Sequence, residues 1–94
     1  MNKLRKRFQQ IKELALTEAQ TCDDFKALAF ISEELGELSQ DLLENQREHG
    51  RLEALDVLIA SAAMFFRLGG SDDEIDYRLK RQLRKWKAKL QNII

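Results

Sequence analysis

The sequence predicts an all-α fold, an antiparallel bundle of about four helices. Three observations predict it. The 94 residues contain no proline and only four glycines, so little in the chain breaks a helix. Leu, Ala, Glu, Lys, Arg and Gln are plentiful, and these are strong helix formers. Apolar residues recur at three- and four-residue spacing over most of the length. A chain of this size makes one domain, residues 1–94.

The first helix is expected from about Asn2 to Glu18, with Leu4, Phe8, Ile11, Leu14 and Ala15 along one side. Thr21 followed by Asp24 resembles a capping box and starts the second helix. Leu28, Ile31, Leu35, Leu38 and Leu42 form its stripe, and the helix can continue to about Glu48, where His49-Gly50 offers a stop. Such a helix is about 40 Å long. The third, from about Leu52 to Leu68, is apolar in nearly every direction, the mark of a buried helix. A four-helix monomer has too little chain to surround it. Part of its surface is therefore expected to pack on another subunit, in a homodimer or homotetramer. Gly69-Gly70 ends it, and Ser71 with Glu74 forms a second capping box. The last helix then runs to about Leu90 with Ile75, Leu79, Leu83, Trp86 and Leu90 inward. Short loops favour antiparallel neighbours.

The formal net charge is zero, but it is unevenly distributed. Ser32 to Asp56 holds eight acids and two bases, whereas Arg78 to Lys89 holds seven bases and no acid. Zero net charge and the acidic middle argue against a nucleic-acid partner. Cys22 is alone, so a reducing, cytoplasmic setting is expected. The basic N-terminus has no continuous apolar run behind it and does not read as a secretory signal. The longest apolar stretch, Val57 to Phe66, is too short to span a bilayer, so no membrane partner is expected.

The acids of the middle segment are paired. Glu34 and Glu37 stand three apart, as do Glu53 and Asp56, and Glu33 lies over Glu37 at a four-residue offset. On antiparallel helices the two pairs can converge, and their mutual repulsion would be relieved by a cation. A carboxylate-only ligand set suits Mg²⁺, with Mn²⁺ as the other candidate. The bland alternative is that Glu53 and Asp56 sit in a first helical turn, where the helix dipole favours acids. Asp56 fits that less well, because Leu55, Val57, Leu58 and Ile59 crowd it and a carboxylate entering an apolar helix needs a partner. Gly36 costs about 1 kcal/mol against alanine inside a helix, which suggests a close approach there. No side-chain nucleophile is evident. Cys22 has no histidine partner, and His49 reads as a loop residue beside Gly50.

EELGE at Glu33–Glu37 and EALD at Glu53–Asp56 together resemble the EExxE and ExxD signature of the MazG-like all-α nucleotide pyrophosphohydrolases. The similarity extends from about Ala27 to Trp86. The resemblance implies Mg²⁺-dependent hydrolysis of nucleoside triphosphates to a monophosphate and pyrophosphate, as in clearing unwanted nucleotides from the pool. It implies Glu34, Glu37, Glu53 and Asp56 as metal ligands, and Glu33 as an acid supporting those ligands or as the group that orients the attacking water. Lys80 matches the lysine that relatives use near the phosphates. Arg84 stands where they carry asparagine, a departure that speaks against sugar or base contacts from this helix. Lys80 and Arg84, four apart, form an edge that can reach the phosphates. The alternative is that these cations complement the helix C-terminus on a solvated face. Phe30 and Phe8 are candidates for a base pocket, while Trp86 is expected in the core. A phosphoribosyl-ATP pyrophosphohydrolase has a similar acid pattern and is the enzymatic alternative. A non-catalytic helical oligomerisation or regulatory module is the other.

Overall fold

A computed structural model describes residues 2–93. Among them there are four helices and no strand: α1 (Asn2–Glu18), α2 (Asp24–Leu43), α3 (Arg47–Arg67) and α4 (Asp72–Ile93). The all-α reading is borne out. No described helix is long and apolar enough to cross a membrane.

The expected limits of α1 are met, but the start of α2 is not made by Thr21. Asp23 is the cap, and its side chain accepts a 2.8 Å hydrogen bond from the Lys26 N–H. The Thr21 hydroxyl instead donates back to the Glu18 carbonyl at the end of α1. The second correction is larger. α2 ends at Leu43, not near Glu48, which makes it about 30 Å long at 1.5 Å per residue. Asn45 takes a left-handed φ of 59°. Its N–H bonds the Leu42 carbonyl and the Gln46 N–H bonds the Asp41 carbonyl, the paired bonds of a Schellman stop. Asparagine tolerates this conformation better than most residues, so the helix stops here without the glycine or proline that would mark a stop in the sequence.

His49 and Gly50 consequently lie inside α3 and stop nothing. Gly50 is buried against α2, where an added Cβ would meet Leu38, Asp41 and Leu42 at 3.6–3.7 Å. The close approach expected at Gly36 is absent, for nothing lies within 4 Å of a Cβ built there. The early start of α3 also moves Glu53 and Asp56 out of its first turn, so the helix dipole does not explain them.

α3 is the central element: α2 packs along it and α1 packs against it. Among the described residues Phe66, at 1 % exposure, and Ala15 are the buried apolar side chains. The Phe65 and Phe66 rings meet edge to face at 5.3 Å, and the Lys12 ammonium stands 6.0 Å from the Phe66 centroid. Arg67 ties the α1–α2 connection to the end of α3. Its Nε donates to Asp24 Oδ1 at 2.8 Å, its Nη2 donates to the Cys22 carbonyl, and Nη1 lies 3.7 Å from Glu18 Oε1. Hydrogen bonding to Asp24 raises the Arg67 pKa above its ordinary value, so the guanidinium stays charged.

Gly69, at φ 94°, and Gly70 close α3 with a second Schellman pair, as the sequence indicated. The Ser71–Glu74 capping box forms reciprocally, with bonds of 3.2 and 3.3 Å. The expectation for α4 itself is corrected. Among the described residues it packs on none of the other helices, and Leu79, Leu83, Trp86 and Leu90 are exposed rather than inward. α3 is likewise uncovered on its third side, where Leu52, Leu55, Leu58 and Ile59 face solvent.

Candidate metal centre

The packing of α2 on α3 brings carboxylates from both helices to one place. Glu34, Glu37 and Glu53 each present an oxygen within 4.8 Å of those of the other two. Glu34 and Glu37 share a face of α2 at three-residue spacing, and Glu53 faces them from the second turn of α3. Glu34 and Glu53 are half-buried and Glu37 is exposed. Exposed acidic clusters are common without a metal. This one differs in that Glu53 Oε2 is shut away from solvent and has no hydrogen-bond partner.

Such an oxygen resists ionisation. Burial first, and then the neighbouring Glu34 and Glu37, push the Glu53 carboxyl from 4.5 up to about 7. Near neutrality Glu53 is therefore divided between the two protonation states. A cation bound here would supply the missing partner and displace that proton. Oxygen ligands from carboxylates fit a hard divalent ion such as Mg²⁺.

Two residues that the sequence reading left out extend the cluster. Asp41 and His49 come within the same 4.8 Å limit of Glu53, with His49 Nδ1 3.5 Å from Asp41 Oδ2. Asp41 is 15 % exposed and His49 71 %, and Asp41 Oδ2 is a second buried oxygen without a hydrogen bond. The signal was in the spacing. Glu34, Glu37 and Asp41 repeat at three and four, and His49, Glu53 and Asp56 at four and three. Assigning His49 to a loop concealed it.

Glu33, Glu34 and Asp56 also line an open groove of about 930 Å³ between the helices. Its walls include Phe30, Ala27, Ile59, Ala60, Ala63 and Met64, with Lys26 and Arg67 towards the α1–α2 connection. One end is acidic, the middle apolar, and the far end mixed, with Lys26 and Arg67 beside Glu18. Arg67 was not anticipated from the sequence, where it reads as an ordinary helix-end base; its side chain is 3 % exposed.

No family model, curated protein or solved structure matches this chain. The site must therefore be judged on its own geometry.

On that geometry the expected residues fall into groups. Glu34, Glu37 and Glu53 meet. Asp56 is not part of that trio; it is exposed, and it borders the groove beside Glu33 and Glu34. Of the apolar neighbours thought to crowd it, Leu55, Leu58 and Ile59 are themselves about half in solvent. Phe30 lines the groove and Phe8, half-buried on α1, does not. Lys80 pairs with Asp76 of its own helix at 3.2 Å, and neither Lys80 nor Arg84 reaches the groove within the chain.

Proposed function

We propose that this protein is a Mg²⁺-dependent hydrolase of nucleoside triphosphates, releasing pyrophosphate and a nucleoside monophosphate, and that it acts as a homo-oligomer. The observation that supports this best is the buried, unpartnered Glu53 oxygen between Glu34 and Glu37. The EELGE and EALD motifs resemble those of the MazG-like enzymes at the same residues. Mn²⁺ is the natural substitute for Mg²⁺.

Glu34, Glu37 and Glu53 would hold the ion, with Asp56 joining from the groove side. A divalent ion in such a site neutralises phosphate charge and makes a bound water more acidic, which suits hydrolysis without a side-chain nucleophile. Glu33, exposed at the groove wall beside Glu34, is the candidate to orient water and accept its proton. Phe30 offers an aromatic face for a base a few residues along the same wall. The apolar middle of the groove offers that base a nonpolar wall.

The competing reading is a non-catalytic oligomerisation or regulatory module. The uncovered α4 and the separation of Lys80 and Arg84 from the acids favour it. Phosphorus NMR of the products from a nucleotide panel, phosphoribosyl-ATP included, separates the readings. Pyrophosphate plus monophosphate is expected. Diphosphate plus inorganic phosphate would contradict the assigned bond, and unaltered substrates throughout would favour the module.

A further inference from the structure

The molecule exposes far more surface than a compact monomer of its size does, large apolar side chains included. At 11.0 kDa its accessible surface is 8157 Å², where a folded monomer exposes about 5,600 Å². Its radius of gyration is 15.6 Å, against about 12 Å for a compact chain of this length. The excess, about 2,500 Å², lies at the upper end of what each chain of an obligate homodimer covers.

Two surfaces carry this excess. On α4, Leu79, Leu83, Trp86 and Leu90 form a continuous stripe, with Trp86 62 % exposed. In proteins most of a helix's stability comes from tertiary packing of its amphipathic face. Among the described residues α4 has none within its own chain, so it needs a cover. On α3, Leu52, Leu55 and Ile59 are uncovered beside Asp56. The charges around the two surfaces are opposite. Lys80, Arg84 and Lys87 flank one edge of the α4 stripe, and the segment from Ser32 to Asp56, which supplies much of α2 and α3, carries eight acids against two bases. The exit of α4 is also held. Gly69 keeps its left-handed conformation, and the Phe65 ring occupies the place of a Gly70 side chain, so α4 leaves α3 in a direction that carries it off its own chain.

We propose that α4 of one copy lies across the α2–α3 hairpin of a second copy, reciprocally. Its leucines and Trp86 cover the exposed leucines of α3, and its basic edge lies over the acidic site. Lys80 and Arg84 then serve that site in trans, next to where phosphates would be held. This last consequence rests on the pyrophosphohydrolase reading; the association of the two copies does not.

Sedimentation of the full chain at micromolar concentration tests the association. A mass of at least two copies is expected, and a helical Leu83→Glu variant should fall to one copy. A monomeric wild type, or a Leu83→Glu variant of unchanged mass, would overturn the proposal. Zero-length carbodiimide cross-linking of mixed ¹⁵N-labelled and unlabelled chains locates α4. Links between α4 lysines and Glu33, Glu34 or Asp56 should join a labelled peptide to an unlabelled one. Links confined to one isotope would mean that α4 folds onto its own chain. A monomer that floats with anionic vesicles would assign the stripe to a lipid surface instead. None of these readouts needs activity, so an inactive but intertwined dimer would overturn only the enzymatic reading.

Discussion

Replacing Glu53 with glutamine should change how stability depends on pH. In the folded chain this carboxyl titrates near 7, against 4.5 for an unperturbed one. Below pH 4.5 it is neutral whether the chain is folded or unfolded, and it imposes no penalty. Between 4.5 and 7 the folded chain keeps a proton that the unfolded chain has lost, so stability falls as pH rises. Above 7 the group is charged in both states and the penalty is constant. At pH 6 the folded state holds about 0.9 proton more at this site than the unfolded state does. Urea titrations at fixed protein concentration, with a chelator and at pH steps from 5 to 8, measure this as the slope of unfolding free energy against pH. The wild-type slope should be more negative than that of Glu53→Gln by nearly one proton around pH 6, and the two should run parallel above pH 8. Parallel curves over the whole range would mean that Glu53 is not confined beside Glu34 and Glu37.

Mg²⁺ should raise the wild-type melting temperature and leave that of a Glu34→Gln, Glu53→Gln double variant unchanged, as followed by circular dichroism. Asp56→Asn should abolish turnover while keeping full helicity; retained turnover would remove Asp56 from the site. Arg67→Met should lower the melting temperature far more than Lys80→Ala. It strips bonds from Asp24 and the Cys22 carbonyl at a buried junction, whereas the Lys80–Asp76 pair is exposed. Asn45→Ala should cost about 1 kcal/mol by urea denaturation, since alanine strains at positive φ, while Asn45→Gly should be neutral or stabilising.

The sequence made the helices legible where periodicity and a cap agree. α1 and the Ser71–Glu74 start of α4 follow from local bonding, which sequence spacing records directly. The α2–α3 boundary was not legible, because no glycine or proline falls between Leu42 and His49 and the stop is set by one left-handed asparagine. That misplacement hid His49 and Asp41, whose relation to Glu53 depends on where the turn falls. The meeting of Glu34 and Glu37 with Glu53 was legible from two three-residue spacings on adjacent helices. Arg67 was not, since its importance comes from Asp24 and the Cys22 carbonyl, more than forty residues away in sequence. The α4 stripe was read correctly as apolar and wrongly as covered, because periodicity tells which face seeks a partner and not which chain provides it.

The central claim is that the Glu34, Glu37 and Glu53 cluster, loaded with Mg²⁺, cleaves a nucleoside triphosphate at the α–β bond. Pyrophosphate release from a panel of canonical and modified triphosphates, measured for wild type and Glu53→Gln with and without Mg²⁺, tests it most directly. The account predicts release by wild type only with the metal, and a loss of at least about a hundredfold in the variant. Equal release by both proteins, or none by wild type from any triphosphate, would contradict it.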